Sequence, residues 1–165
     1  MRKSIYAFVF ASFCALAHPA SYAVDAANMQ HMSGSHDKKS AIMHVMKAQF
    51  DQPNNPLQVD PIAVEQQYAL AGWIQGGKGG RALLQLEHGH WVIAVCAGDA
   101  LLKESTLIQT GMTVEVARKL IHQLNFLESK LDAETRTKLS SFDGLVQVNG
   151  SGHGHQVGGH PKTAH

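Results

Sequence analysis

The sequence predicts an α+β protein: a small antiparallel β meander of three to four strands, with an N-terminal helix and C-terminal helices packed on one face, and flexible ends. Three observations carry this. Residues 67–97 alternate between apolar and polar positions and are broken by glycine turns. Residues 99–144 repeat at helical spacing instead. Both ends are too polar and too rich in small residues to bury a core. The alternation predicts one covered sheet face, because a parallel sheet buried on both sides reads as continuous apolar runs.

The elements follow in chain order. Arg2 and Lys3, the apolar run from Ile5 to Ala17 and the Ser21-Tyr22-Ala23 tripeptide have the order of a secretory signal peptide, so residues 1–23 are expected to be removed after Ala23. The apolar run is shorter than the roughly 20 residues a membrane span needs. No later segment is long and apolar enough to cross a bilayer. Residues 24–37 read as a flexible arm bearing histidine and methionine. A globular domain is expected over 38–148 and a disordered tail rich in glycine and histidine over 149–165.

Within that domain, Ile42, Val45, Met46 and Phe50 fall at helical spacing from Lys38 onward, with Ser35 or Asp37 as cap and Pro53 and Pro56 as stop. Leu57–Glu65 reads as an edge strand, the place where Pro61 is tolerated. Gln67–Gln75, Arg81–Glu87 and Trp91–Ala97 read as the meander, joined by a turn at Gly76–Gly80 and a two-residue turn at His88-Gly89. Asp99 is the expected cap of a short helix that reaches Gln109. Thr113 is the expected cap of a longer one, whose stripe is Val114, Ala117, Leu120, Ile121, Leu124, Leu127 and Leu131. Asp132 starts a third helix, expected to end near Gly144.

Charge and cysteine usage exclude several function classes. The formal net charge is +1 and turns slightly negative once Arg2 and Lys3 leave, so nothing drives nucleic-acid binding. Cys96 is then the sole cysteine, and no internal disulfide can form. Gly76–Arg81 resembles a phosphate cradle only superficially, because a strand rather than a helix follows it. Cys96 with Asp99 three residues on invites a nucleophile reading, but nothing local supplies a base. No enzyme signature is present.

Histidine is the strongest chemical signal. His153, His155, His160 and His165 lie among Gly152, Gly154, Gly158 and Gly159, and neutral imidazole binds borderline transition metals. Their spacing is not that of a closed structural zinc site, so a loose, exchanging site is expected. Met29, His31, Met32 and His36 form a second set, in which thioether sulfur selects Cu(I) and imidazole also accepts Cu(II). Copper is the expected ion, with zinc and nickel as alternatives. Met43 and Met46 read as core. His88 and His90 flank the hairpin tip, and His122 reads as a surface residue.

The segment Gly72-Trp73-Ile74-Gln75-Gly76-Gly77-Lys78-Gly79-Gly80-Arg81-Ala82-Leu83-Leu84, Trp91, and Cys96-Ala97-Gly98-Asp99-Ala100-Leu101 together resemble a group of small exported bacterial proteins, the copper uptake system-associated proteins. The similarity spans approximately Lys38 to Val148. It implies a periplasmic role in copper acquisition or delivery, with a periplasmic or outer-membrane copper-handling protein as partner. It assigns no individual ligand, and the candidates above rest on ligand chemistry alone. The competing expectations are a protein-binding module with incidental histidines and, behind it, a small exported enzyme.

Overall fold

The computed structural model describes residues 23–148. It holds a five-stranded antiparallel sheet in which every strand lies beside its neighbour in order: β1 (Gln58–Glu65), β2 (Tyr68–Gln75), β3 (Lys78–Glu87), β4 (His90–Ala97) and β5 (Leu145–Gln147). Helix α1 (Ala23–Phe50) precedes the sheet. Between β4 and β5 come a 3₁₀ turn at Asp99–Leu102 and helices α2 (Glu104–Gln109), α3 (Val114–Glu128) and α4 (Ala133–Leu139). The α+β class therefore stands, with five strands rather than three to four.

The meander forms because three two-residue loops reverse the chain. Glu65 pairs with Tyr68, Gln75 with Lys78, and Glu87 with His90. Gly76 and Gly77 have φ of 58° and 80°, and His88 and Gly89 have 49° and 84°, the left-handed pair that matches strand twist. The glycine turn is thus shorter than expected: Lys78, Gly79 and Gly80 already belong to β3. Pro61 lies on edge strand β1, at an irregularity between Val59 and Ile62.

Helices cover both faces of the sheet, not one. Tyr68, Leu70, Leu83, Val95 and Ala97 pack against Leu107, Val116, Ala117, Leu120 and Leu124 of α2 and α3. The alternate positions Ala69, Ala71, Ala82, Leu84, Ile93 and Cys96 pack with Ile42 and Met46 of α1. The second face escaped the sequence pattern in part because Ala69, Ala71 and Ala82 on it are small enough to admit a helix without reading as a core.

Three helix boundaries differ from the expected ones. Helix α1 begins at Ala23 rather than Lys38, so 24–37 continues its backbone and Ser35 and Asp37 cap nothing. The expected Asp99–Gln109 helix is split at Lys103, and the helix after Asp132 stops at Leu139. Thr113 and Asp132 do cap, accepting from the backbone N–H groups of Val116 and Thr135. On α3 the buried positions are Val116, Ala117, Leu120, Leu124 and Glu128, while Val114 is exposed. Among the described residues, no helix is long and apolar enough to cross a membrane.

The chain returns to β4 through a close crossing. A β-carbon at Gly79 would lie 2.9 Å from the Lys138 carbonyl oxygen, and one at Gly98 would lie 2.6 Å from that of Phe142. Only hydrogen fits there. Ser141 Oγ and the Gly79 backbone hydrogen-bond across the same gap at 3.3 Å. The segment delivers β5 onto Val95, Cys96 and Ala97, and Val148 N–H extends the ladder to the Ala94 carbonyl at 2.8 Å.

Candidate metal site

The four tail histidines, His153, His155, His160 and His165, lie outside the described residues, as does the expected signal segment up to Tyr22. Positions 29, 31 and 32 fall on α1, whose backbone places 29, 32 and 36 at i, i+3 and i+7, a spacing that recurs along one helix face. Continuing by seven reaches Met43. The Met43 side chain is 38% exposed, so it is not core; Met46, three residues on, is buried at 1%. The difference follows from helix geometry, since Met46 stacks one turn beyond Ile42 on the buried face and Met43 points aside.

His36 and Met43 line a common surface groove between α1 and β1, opposite Asp60, Pro61 and Ile62. The groove therefore offers an imidazole, a thioether and a carboxylate. Lys39 lines it as well, and its ammonium opposes a tightly held cation. Met43 is the functional candidate that sequence reasoning missed; the i+7 repeat from His36 was the signal that could have found it. Among the described residues, no group of three or more His, Cys, Asp or Glu side chains could hold a metal ion. His44, His90 and His122 are exposed. His88 occupies the turn with a left-handed backbone, so it does not share a strand face with His90.

Cys96 is buried in the α1 face, whereas Asp99 turns to Arg81 on the other face at 2.9 Å. The two do not form a nucleophilic pair. Burial alone pushes the Cys96 thiol up to about 11, away from the reactive range. With residues 1–23 removed, alkylation of Cys96 by iodoacetamide at pH 8 is expected to run on the order of a hundredfold slower than for free cysteine, in line with its smaller thiolate fraction. Peptide mass spectrometry checks this. A rate equal to that of free cysteine would reveal an activated thiol.

The best-organised polar cluster in the molecule is structural. Arg81, 2% exposed, donates through Nε and Nη2 to the two carboxylate oxygens of Glu128, each at 2.7 Å. Its Nη1 donates to Asp99 at 2.9 Å and to the Leu139 carbonyl at 3.2 Å. Burial alone would lower the guanidinium pKa, but the hydrogen bonds and charges of Glu128 and then Asp99 outweigh it and hold it raised. One side chain of β3 thus ties down the 3₁₀ turn, the end of α3 and the end of α4. Four of its five N–H donors are spent on these structural partners rather than on an anion at the glycine turn.

These features define a class: a five-stranded antiparallel meander between α1 and the α2–α4 layer, with histidine- and methionine-bearing segments at its ends. No family model, curated protein or solved structure matches the chain.

Proposed function

We propose that the protein is a periplasmic copper-binding accessory protein acting in copper uptake, delivery or homeostasis, which holds the ion loosely through its two ends. Its ligands are drawn from His153, His155, His160 and His165 and from Met29, His31, Met32 and His36. The observation that carries this reading is compositional: four histidines interleaved with Gly154, Gly158 and Gly159 in the last residues of the chain. The groove lined by both His36 and Met43, two helical turns apart, supports it, because thioether and imidazole ligands suit copper in either oxidation state. Lys39 at the same groove favours release over retention, which transfer to a partner requires. The similarity to copper uptake system-associated proteins points the same way, and zinc and nickel remain the competing ions.

Imidazole binds metal only when neutral, so capture is expected to weaken as the pH falls below about 6. Titrating Cu²⁺ at pH 7 into the chain freed of residues 1–23, and into a version that also ends at Asn149, tests the assignment. The shorter version is expected to lose most of the bound copper, and the longer one to lose it on moving to pH 5. Equal stoichiometry and affinity in the two would remove the tail from the mechanism.

One observation favours the rival reading of a protein-binding module. Strand β5 is short and forms a sheet edge, with Leu145 and Val146 46% and 49% exposed. Capture of a periplasmic partner by the version ending at Asn149, with no metal retained, would support that module over the metal carrier.

A further inference from the structure

Strand β4 has a partner along only part of its outer edge. β5 pairs with Val95, Cys96 and Ala97, and the ladder runs one bond further, from the Val148 N–H to the Ala94 carbonyl. Beside His90–Ile93 no strand lies on that side among the described residues. Glu87 and His90 close the two-residue turn, so their backbone groups face each other. By alternation those of Trp91 face the other way, toward the unpaired side. Such a row of backbone groups is a template for a further strand.

The chain itself can supply one. Asn149-Gly150-Ser151-Gly152 follow Val148 and alone separate it from His153. Five residue steps of strand reach about 17 Å, whether from Val148 to His153 or back along β4 from Ala94 to Gly89. Continued in the β4–β5 register, in which Val95 faces Gln147, the pairing sets His153 opposite Gly89. β4 carries an extra residue here, between the partners of Leu83 and Leu84, and taking it up sets His153 opposite His88 instead. In either register a tail histidine arrives at the turn that holds His88 and His90, both exposed. Among the described residues no third His, Cys, Asp or Glu completes a metal site with these two. Glu87, paired across the turn with His90, adds a negative charge that favours a cation. Glycine and asparagine are poor strand formers, so the pairing is weak unless its far end is fastened.

We propose that a copper ion bridges His153 to His88 and His90 at the β3–β4 turn, and so fastens residues 149–152 along the unpaired edge of β4. The inference rests on the copper reading of the tail. It adds a site of which the folded domain supplies half.

Cu²⁺ is titrated at pH 7 into the chain freed of residues 1–23, into its His88→Asn, His90→Asn double variant, into Gly150→Pro, and into the version ending at Asn149. Asparagine tolerates the left-handed backbone of position 88. The Val148 N–H points at β4, so that of Gly150, two residues on, does too, and proline removes it. Both variants are expected to bind Cu²⁺ roughly tenfold or more weakly than the parent, through loss of ligands held at high effective concentration. Hydrogen exchange of the Trp91 amide should slow when Cu²⁺ is added to the parent, and should not slow in either variant. If the double histidine variant does not fold, Gly150→Pro, altered beyond Val148, still decides. Parent-like affinity in the variants, or Trp91 exchange unmoved by Cu²⁺, would overturn this proposal and leave the tail as the copper site. Equal binding by the version ending at Asn149 would overturn both. Protection of Trp91 that grows with protein concentration would give the edge to a second copy's tail and overturn pairing within one chain.

Discussion

Replacing Glu128 with alanine is expected to cost about 3–5 kcal/mol of stability, the cost of stranding a buried charge without its partner. Glu128 is 6% exposed and supplies both oxygens of the fork that holds Arg81. Remove it and the guanidinium keeps only Asp99, itself largely in solvent, and the Leu139 carbonyl. A domain typically has only about 5–15 kcal/mol in hand, so the variant should unfold at much lower urea. The double replacement Arg81→Leu with Glu128→Leu should recover most of the loss, since a buried ion pair is often no better than well-packed hydrocarbon. Arg81→Lys alone should also destabilise, because an ammonium cannot make the two-pronged contact with Glu128. Urea denaturation of the set checks this; a loss below about 1 kcal/mol for Glu128→Ala would place the pair effectively in solvent.

The second large effect is expected at Gly98. A β-carbon there would stand 2.6 Å from the Phe142 carbonyl oxygen and 3.1 Å from that of Ser140, both backbone atoms without a rotamer to yield. Gly98→Ala should therefore lift the 138–142 crossing, at a cost of about 1–3 kcal/mol typical of overpacking. The damage should be local to the returning strand: exchange of the Val148 amide, bonded to Ala94 at 2.8 Å, should quicken more than that of the central β2–β3 pairs. Gly77→Ala is the contrasting case. Nothing lies within 4 Å of its β-carbon, but φ is +80°, so its penalty is backbone strain at the hairpin and should leave Val148 untouched.

Much of the fold was legible in the residues themselves. Alternation with glycine turns marked β2, β3 and β4, and the caps at Thr113 and Asp132 began the helices they were expected to begin. What stayed hidden is physical. Ala69, Ala71 and Ala82 look neutral in a pattern, yet their small size lets α1 cover the second face. Strand β5 is three residues long, too short to show a period. The structural role of Arg81 was not visible, because its partner Glu128 stands 47 residues away. Gly79 reads as a turn residue, whereas its missing side chain, with that of Gly98, lets one segment cross the sheet end. Of the metal candidates, the tail was legible as composition alone. Met43 was misread as core because a methionine beside an apolar stripe is ordinarily buried.

On the proposed reading, copper is gathered by imidazole and thioether groups at the two ends of the chain, while buried polar groups such as Arg81 and Glu128 serve folding. Equilibrium dialysis of the chain freed of residues 1–23 against Cu(I), Cu(II), Ni(II) and Zn(II) at pH 7, with bound metal measured by elemental analysis, tests it most directly. Copper is expected to be retained ahead of nickel and zinc, and released on acidification to pH 5. No uptake of any of the four ions at neutral pH would contradict it.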